Sequence, residues 1–590
     1  MRSQPDRGGP VTSPFPDRAE PATLPDLLDA AVAAHGDAPV ADLLGETISY
    51  RALAARVDRA AAGLTTLGIG RGDRVALVLP NCPAWLVAAF AVWRLGGIVV
   101  AHHQDSRGRE LRHLFEDHTA DVAVVWTGVA DRVARLPDDV RPRHLITVSL
   151  VEDLPLRRRL ALHLPGTTAR RLREELGDKA VPRGGMTFTA LLERGARGRA
   201  AAALRDVPRP TPDDAAVLQY TAGTTGDPLG AILRHRNLTA NVAQARAVLP
   251  ELPAGSAVAC VLPFVHAWAL TLSLLLSVRS GARLVLLPAA DPEDVLRAQR
   301  RVPLDYLVAV PPLLDRLAAA AEADDDGFPA LRFAFSGGTA LPDRVRRRWS
   351  RIAAGPLIEG YGLSEASPLV LAGDPDPGAV ASGAVPSGAE SSSSAGRPVP
   401  GTEIRVVDRD DPRRDVTDGP GELLVRGPQV FTGYWKKHTA TRQVLLPDGW
   451  LRTGDVVTVH DGVVTIVDRA KDVIVSGGYA VTPSEVEAVL REHQGVRDAA
   501  VVGALTVTGG EEIVAVVVMA EHARFREEAL RAWCGRRLAP WKVPRRIVAE
   551  DELPVDALGT VNRRALRHQL AELSFTGRLP VARGQQRRRR

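Results

Sequence analysis

Short runs of Val, Leu and Ala alternate with longer helix-patterned segments across residues 24–469, and this alternation limits the fold more than any other feature of the chain. VALVLP (75–80), VAVVW (122–126) and LVLLP (284–288) are apolar at successive positions, so both faces of each strand need cover. Strands of that kind belong to largely parallel sheets lined by helices, which makes the expected class α/β. Residues 50–67 read as one such covering helix, because Leu53, Val57, Ala60, Ala61 and Leu64 fall on a single face. At 590 residues the chain is several times the usual domain size and must divide.

VACVLPFVHAWALTLSLLLSV (258–278) is long enough to cross a bilayer. Pro263 and His266 oppose that reading, and a buried strand, a turn at the proline and a core helix account for the stretch better. Residues 1–20 are rich in proline and charge, lack the apolar core of a signal peptide, and are expected to be disordered. A large domain is expected over 21–468, interrupted at 373–395 by a flexible insertion whose sequence, GDPDPGAVASGAVPSGAESSSS at 373–394, is too poor in large apolar residues to pack. Residues 469–572 carry a helix after Ser484, strands near 499–503 and 513–519, and a helix from Glu527, the pattern of a small α+β domain.

Much of the formal net charge of +5 sits in Arg587, Arg588, Arg589 and Arg590 of a basic tail, 573–590. No DNA-reading element accompanies it, so no specific nucleic-acid partner and no transmembrane segment are expected, while peripheral contact with acidic lipid stays open. Cys82, Cys260 and Cys534 are widely spaced and lack a C-x-x-C pair, which fits a reducing, cytoplasmic setting without disulfide or zinc.

YTAGTTGDPLGAILRHRN (220–237) places three glycines and three threonines directly after an apolar run. Glycine lets backbone N–H groups turn toward a phosphate, and threonine hydroxyls add donors, so the segment reads as an anion cradle. It is not a Walker loop, since no Lys-Ser or Lys-Thr follows the last glycine. The segment resembles the signature of the adenylate-forming superfamily of acyl-CoA synthetases, luciferases and nonribosomal adenylation domains. That resemblance implies a large N-terminal domain of α/β subdomains with a small mobile C-terminal domain, and assigns ATP to Thr221, Gly223, Thr224, Thr225 and Gly226. Leu229 stands where the superfamily usually has a phosphate-contacting lysine.

Further segments extend the resemblance over nearly the whole chain. SGGTALP (336–342) is similar to a loop that lets adenine approach backbone at Gly337 and Gly338. LIEGYGLSEASPLV (357–370) resembles the segment in which Glu359, Gly360, Tyr361, Gly362 and Ser364 surround the nucleotide, with Tyr361 stacking on adenine. Glu365 would ligate Mg²⁺ there, a hard cation suited to carboxylate; read alone, Glu365 serves equally as a helix cap. VLPFVHAWALT (261–271) resembles the stretch at the mouth of the carboxylate pocket, which makes His266 a catalytic candidate and Trp268 an acyl-pocket wall. A lone histidine in an apolar run is otherwise a core residue, and Trp268 suits core packing equally.

The hairpin DVVTVHDGVVTIVDR (455–469) can be read without the family. Asp461-Gly462 signals a two-residue turn, which pairs His460 with Val463 and Val456 with Val467 and brings Asp455 and Arg469 out together. A carboxylate for the ribose hydroxyls and a guanidinium for ribose or phosphate would then lie side by side; a salt bridge closing a hairpin is the plainer alternative. The resemblance assigns both to ATP, and Arg469 also to catalysis.

RAKDVIVSGGYAVTPSEVE (469–487) resembles the hinge segment about which the small domain turns, with Lys471 at the hinge and Gly477, Gly478 and Tyr479 lining the CoA pantetheine entrance. Ser484 and Glu487 form an S-x-x-E capping box. LPVDALGTVNRRALR (553–567) matches the segment that carries a second lysine between α-phosphate and carboxylate, and Thr560 takes its place. HHQDS (102–106) stands where relatives often show Asn-Pro-Leu, so the acyl pocket is expected to differ.

The resemblance implies an acid–thiol ligase of the long-chain fatty acyl-CoA synthetase type. It would use ATP and Mg²⁺ to activate a fatty or aromatic carboxylic acid and pass it to CoA or a carrier-protein phosphopantetheine. The missing lysines leave two alternatives: a degenerate adenylate-binding protein, or an enzyme repurposed to an unusual acid or nucleophile.

Overall fold

The computed structural model describes residues 11–12, 20–106, 108–154, 156–162, 166, 170, 173, 176–177, 179–221, 228–288, 291–373, 394–409, 411–469, 474–476, 479–481, 483–505, 511–538, 540–555 and 561–576. The chain forms two compact units, one of Pro10–Ile404 with Val425–Leu451, the other taking in Arg405–Leu424 and the chain from Arg452 onward.

The larger unit holds two sheets. In the first, strands Pro39–Leu43, Arg283–Leu286, Ala257–Cys260, Tyr306–Ala309, Phe333–Ser336 and Leu357–Gly362 run parallel in that order, and Leu369–Ala372 continues it antiparallel. In the second, Ala215–Thr221, Ile98–Ala101, Arg74–Val78, Val122–Trp126, His144–Val148 and Met186–Thr187 are parallel, with Leu229–Arg234 antiparallel at the edge. Each apolar run of the sequence became a strand, because nothing else covers both faces of such a segment. Helix Tyr50–Thr65 buries Leu53, Val57, Ala60, Ala61 and Leu64 as its spacing requires, and Ser49 caps it by accepting from Ala52 N at 3.2 Å.

The apolar stretch resolves into strand Ala257–Cys260 and, beyond the proline, a widened π-turn, Ala269–Leu275, that runs into α-helix Leu276–Ser280. No helix among the described residues is long and apolar enough to cross a membrane. Within 1–20, Val11–Thr12 pairs with Glu403 and Ile404, and the Glu20 carboxylate takes Arg246 and Arg279 at 2.7 Å each. Of the insertion expected at 373–395, residues 374–393 lie outside the described residues, while Ser394 and Ala395 belong to strand Ser394–Pro398; of the tail expected at 573–590, residues 577–590 lie outside them, while helix Arg563–Thr576 takes in 573–576.

The smaller unit contains a sheet of Val496–Leu505, Glu511–Met519 and Arg546–Ala549. Its two faces follow the strand period of two. Ala499, Val501, Ala515 and Val517 pack with Val486, Leu490 and Leu530, while Ala500, Val502, Val514 and Val516 meet Leu566 and Leu570.

The capping box expected of Ser484 and Glu487 is not formed. The helix begins at Pro483, so Ser484 lies inside its first turn and donates to Val467 O at 3.3 Å. Glu487 is buried and accepts from Val501 N at 2.8 Å and from Arg563, which anchors the helix to the sheet. Cys82, Cys260 and Cys534 are free and buried.

Candidate functional site

Thr221 closes one strand and pairs with Leu229, which opens the next, and Thr221 Oγ1 donates to Leu229 O at 3.4 Å. Residues 222–227 join them; Gly223, Thr224, Thr225 and Gly226 therefore lie outside the described residues. The His-Arg-Asn that follows is structural. Asn237 accepts from Arg234 N at 2.9 Å and donates to Pro428 O and Val430 O at 2.7 and 3.0 Å.

The parallel pairing of strands Phe333–Ser336 and Leu357–Gly362 ends with Ser336 beside Glu359. A side chain at Gly337 would meet the Trp268 indole at 3.0 Å, and Gly338 has φ +87°. Glu359 accepts from Leu341 N at 3.0 Å and pairs with Arg346, so its carboxylate braces the loop after Gly338. Burial raises its pKa against the pull of Arg346. Gly360 and Gly362 are dictated by packing: a Cβ would sit 2.2 Å from Phe335 Cζ in the first case and 1.8 Å from Pro368 O in the second. Tyr361 lies between them, on the opposite face of the strand and half-buried, and Ser364 begins the next short turn.

Glu365 Oε1 accepts from Tyr434 OH at 2.7 Å, and Phe431 N donates to its carbonyl at 2.8 Å. Burial, then the Glu365 charge, raises the Tyr434 phenol, so the phenol stays a donor. Among the described residues no three His, Cys, Asp or Glu side chains group to hold a metal ion. Glu365 still fits Mg²⁺, which is commonly held by one carboxylate together with substrate phosphates and water: one of its oxygens is fixed by the phenol and Oε2 takes no hydrogen bond among the described residues.

His266 precedes the helical turn that carries Trp268; its backbone N–H donates to Pro263 O and its carbonyl accepts from Leu270 N, both at 2.9 Å. Its Nε2 is buried without a partner among the described residues. Burial, and next the nearby His103, lowers its pKa to about 4, so the ring is neutral near pH 7. The segment is held by side chains that the sequence did not mark. Asn81 donates to Cys260 O and Leu262 O at 2.8 and 2.9 Å and accepts from Phe264 N at 2.9 Å, and Gln219 donates to Val265 O at 2.7 Å. Thr271 donates to Ser367 O at 2.5 Å, tying this segment to the one that carries Glu365. The only trace of Asn81 in the sequence is a polar residue just after the strand run VALVLP.

In the smaller unit, Asp461 and Gly462 have φ of +50° and +75°, the backbone of a type I′ turn. His460 pairs with Val463 as the turn requires, but Val456 faces Asp468 rather than Val467. A bulge at Val467 adds one residue to that strand, and the shift sets Asp455 opposite Arg469. Asp455 is buried, 8% exposed. Tyr479 pairs with Ser476 in a short hairpin, while Lys471, Gly477, Gly478 and Thr560 lie outside the described residues. Arg563, adjacent to the Thr560 segment, is engaged by Glu487 and by Val501 O at 2.8 Å.

The sequence matches the AMP-binding enzyme family over residues 28–435 and the AMP-binding enzyme C-terminal domain over 485–559. It is 34% identical to a long-chain-fatty-acid–CoA ligase of Escherichia coli O157:H7 over 94% of this chain and 95% of that one. The corresponding ligase of Yersinia pestis is 35% identical over 95% and 96%. In fold it is similar to the anthranilate CoA ligase AuaEII solved with anthranoyl-AMP, with a TM-score of 0.76, 21% identity, and coverage of 94% of this chain and 99% of that one.

Proposed function

The chain belongs to the AMP-binding enzyme family, and we propose from that premise that it is an ATP-dependent acid–thiol ligase acting on a long-chain fatty acid. The acid's carboxylate oxygen attacks the α-phosphate of ATP and pyrophosphate leaves. The thiol of CoA, or of a carrier's phosphopantetheine, then attacks the acyl carbonyl and AMP leaves.

The residues divide this work. Thr221 and the glycines and threonines after it cradle phosphates, Tyr361 offers a face to adenine, and Asp455 with Arg469 serves the ribose. His266 is a neutral donor at the carboxylate, and Trp268 walls the acyl channel. Mg²⁺ bound at Glu365 would neutralise phosphate charge. Phosphoryl transfer of this kind rests on positioning and charge stabilisation.

Coverage is the observation that carries the reading. The relatives named as long-chain-fatty-acid–CoA ligases align over 94% and 95% of the chain, through both family segments.

Leu229 favours a second reading, in which adenylation is slow or lost and the pocket binds a preformed adenylate. A leucine across from Thr221 brings no charge to the phosphates, and Thr560 brings none at the second lysine position. Loss of one preorganised donor typically costs about 10²–10³ in rate.

Pyrophosphate release across a panel of acids separates the two, measured for the wild type, Thr560→Lys, Leu229→Lys and the double variant. Robust wild-type turnover supports the ligase and removes the second reading. A silent wild type that the lysines activate roughly 10²-fold or more supports the second. Synthetic acyl-adenylate with CoA tests the thioester half alone.

A further inference from the structure

Strand Ile98–Ala101 ends in two histidines, and the sheet sends them to opposite faces. Val99 pairs in parallel with Val217, so the residues after Ala101 run level with the end of strand Ala215–Thr221. His102 turns toward helix Gly108–His118, where its Nε2 lies 3.0 Å from His118 Nε2 and its ring 5.8 Å from that of Tyr220. His103 turns the other way, and its ring centroid is 6.2 Å from that of His266.

The hydrogen bonds fix what His103 offers. Its Nδ1 accepts from Asp105 N at 3.2 Å, which places the proton of the neutral ring on Nε2. That Nε2–H makes no hydrogen bond among the described residues, and the side chain is 24% exposed. His266 Nε2 is buried and also unpartnered. A buried polar atom left unpaired is unfavourable, and a ligand oxygen that accepts from it would remove that penalty. The rings are close enough for one carboxyl group, seated across their edges, to take a hydrogen bond from each.

We propose that His103 is a specificity-determining residue that binds the carboxylate of the acid together with His266, a role that rests on the acid-activating reading above. The HHQDS segment then has a purpose. With Thr560 bringing no charge to the carboxylate, recognition of that group falls to two imidazoles.

The test measures binding of dodecanoate and of dodecanol, each in the presence of α,β-methylene-ATP, by calorimetry for the wild type, His103→Ala and His103→Gln. The alcohol has the chain without the carboxylate, and the affinity for α,β-methylene-ATP itself reports whether each variant is folded. The wild type should prefer the acid. His103→Ala should lose roughly 10- to 100-fold in acid affinity, one hydrogen bond to a charged group, with alcohol and nucleotide unchanged. His103→Gln, whose amide can donate from near the same position, should keep most of the preference. Equal preference for the acid in His103→Ala and the wild type would overturn the proposal, as would parallel loss of acid, alcohol and nucleotide. A wild type that bound nucleotide but no acid would overturn the parent reading as well, and would do so without any variant.

Discussion

The segments that carry His266 and Glu365 are fastened by side chains, whereas the position that faces Thr221 across the loop holds only Leu229. Asn81, Gln219, Thr271 and Tyr434 reach into the first region from four separate elements. The difference separates two things a site needs. Fastening residues bond mostly to backbone groups, so they hold the segments of His266 and Glu365 in place whatever chemistry goes on beside them. Charge offered to a ligand comes from individual side chains, and those can be lost with the scaffold intact.

Removing the single carboxylate gives the sharpest test of that contrast. Glu365→Gln keeps the size of the side chain and an acceptor for the Tyr434 phenol but gives up the charge. Pyrophosphate release should fall by about 10²-fold or more while the melting temperature stays put. An unchanged rate would break the comparison, because the fastened region would then be ornamental.

Asn81→Ala attacks the fastening instead. It leaves Cys260 O, Leu262 O and Phe264 N without their partner, at a cost of about 2–4 kcal/mol, read as a lower midpoint of chemical unfolding. The loss should exceed that of Leu229→Ala, which removes no such bond. Equal losses would remove the distinction.

A smaller effect should appear with pH. Burial lowers His102 to about 3, and His235 and His266 to about 4, from the ordinary 6.5. Between pH 6.5 and about 4 the unfolded chain binds protons that the folded one refuses, so stability rises with pH through that window and levels off above it. Melting temperature should therefore drop as pH falls below 6.5, and His235→Gln should make the fall shallower. A flat profile down to pH 4.5 would show that these rings are not held neutral.

The parts of this molecule legible in the sequence were those with a local cause. VAVVW could only be a doubly covered strand, and Asp461-Gly462 could only turn with both φ values positive. The resemblance makes Gly360 and Gly362 nucleotide neighbours, yet their lack of a side chain is already required by Phe335 and Pro368. Asn81 carries no signal in the sequence because its partners lie 179 to 183 residues away, and a bond across that span leaves no periodic trace. Ser484 misled for the opposite reason. A good local motif was overruled when the helix started at Pro483, two residues before the motif requires, which placed Glu487 against the sheet.

The bulge at Val467 works as a counting device. In a regular ladder Val456 would face Val467, and Asp455 would face Asp468, acid against acid; with one residue set aside, Asp455 faces Arg469. A slip of a single position thus changes which residue stands opposite every member of the strand, so the register of the ladder hangs on that one unpaired residue. Any insertion engineered into this strand must be judged first by whether it preserves that count.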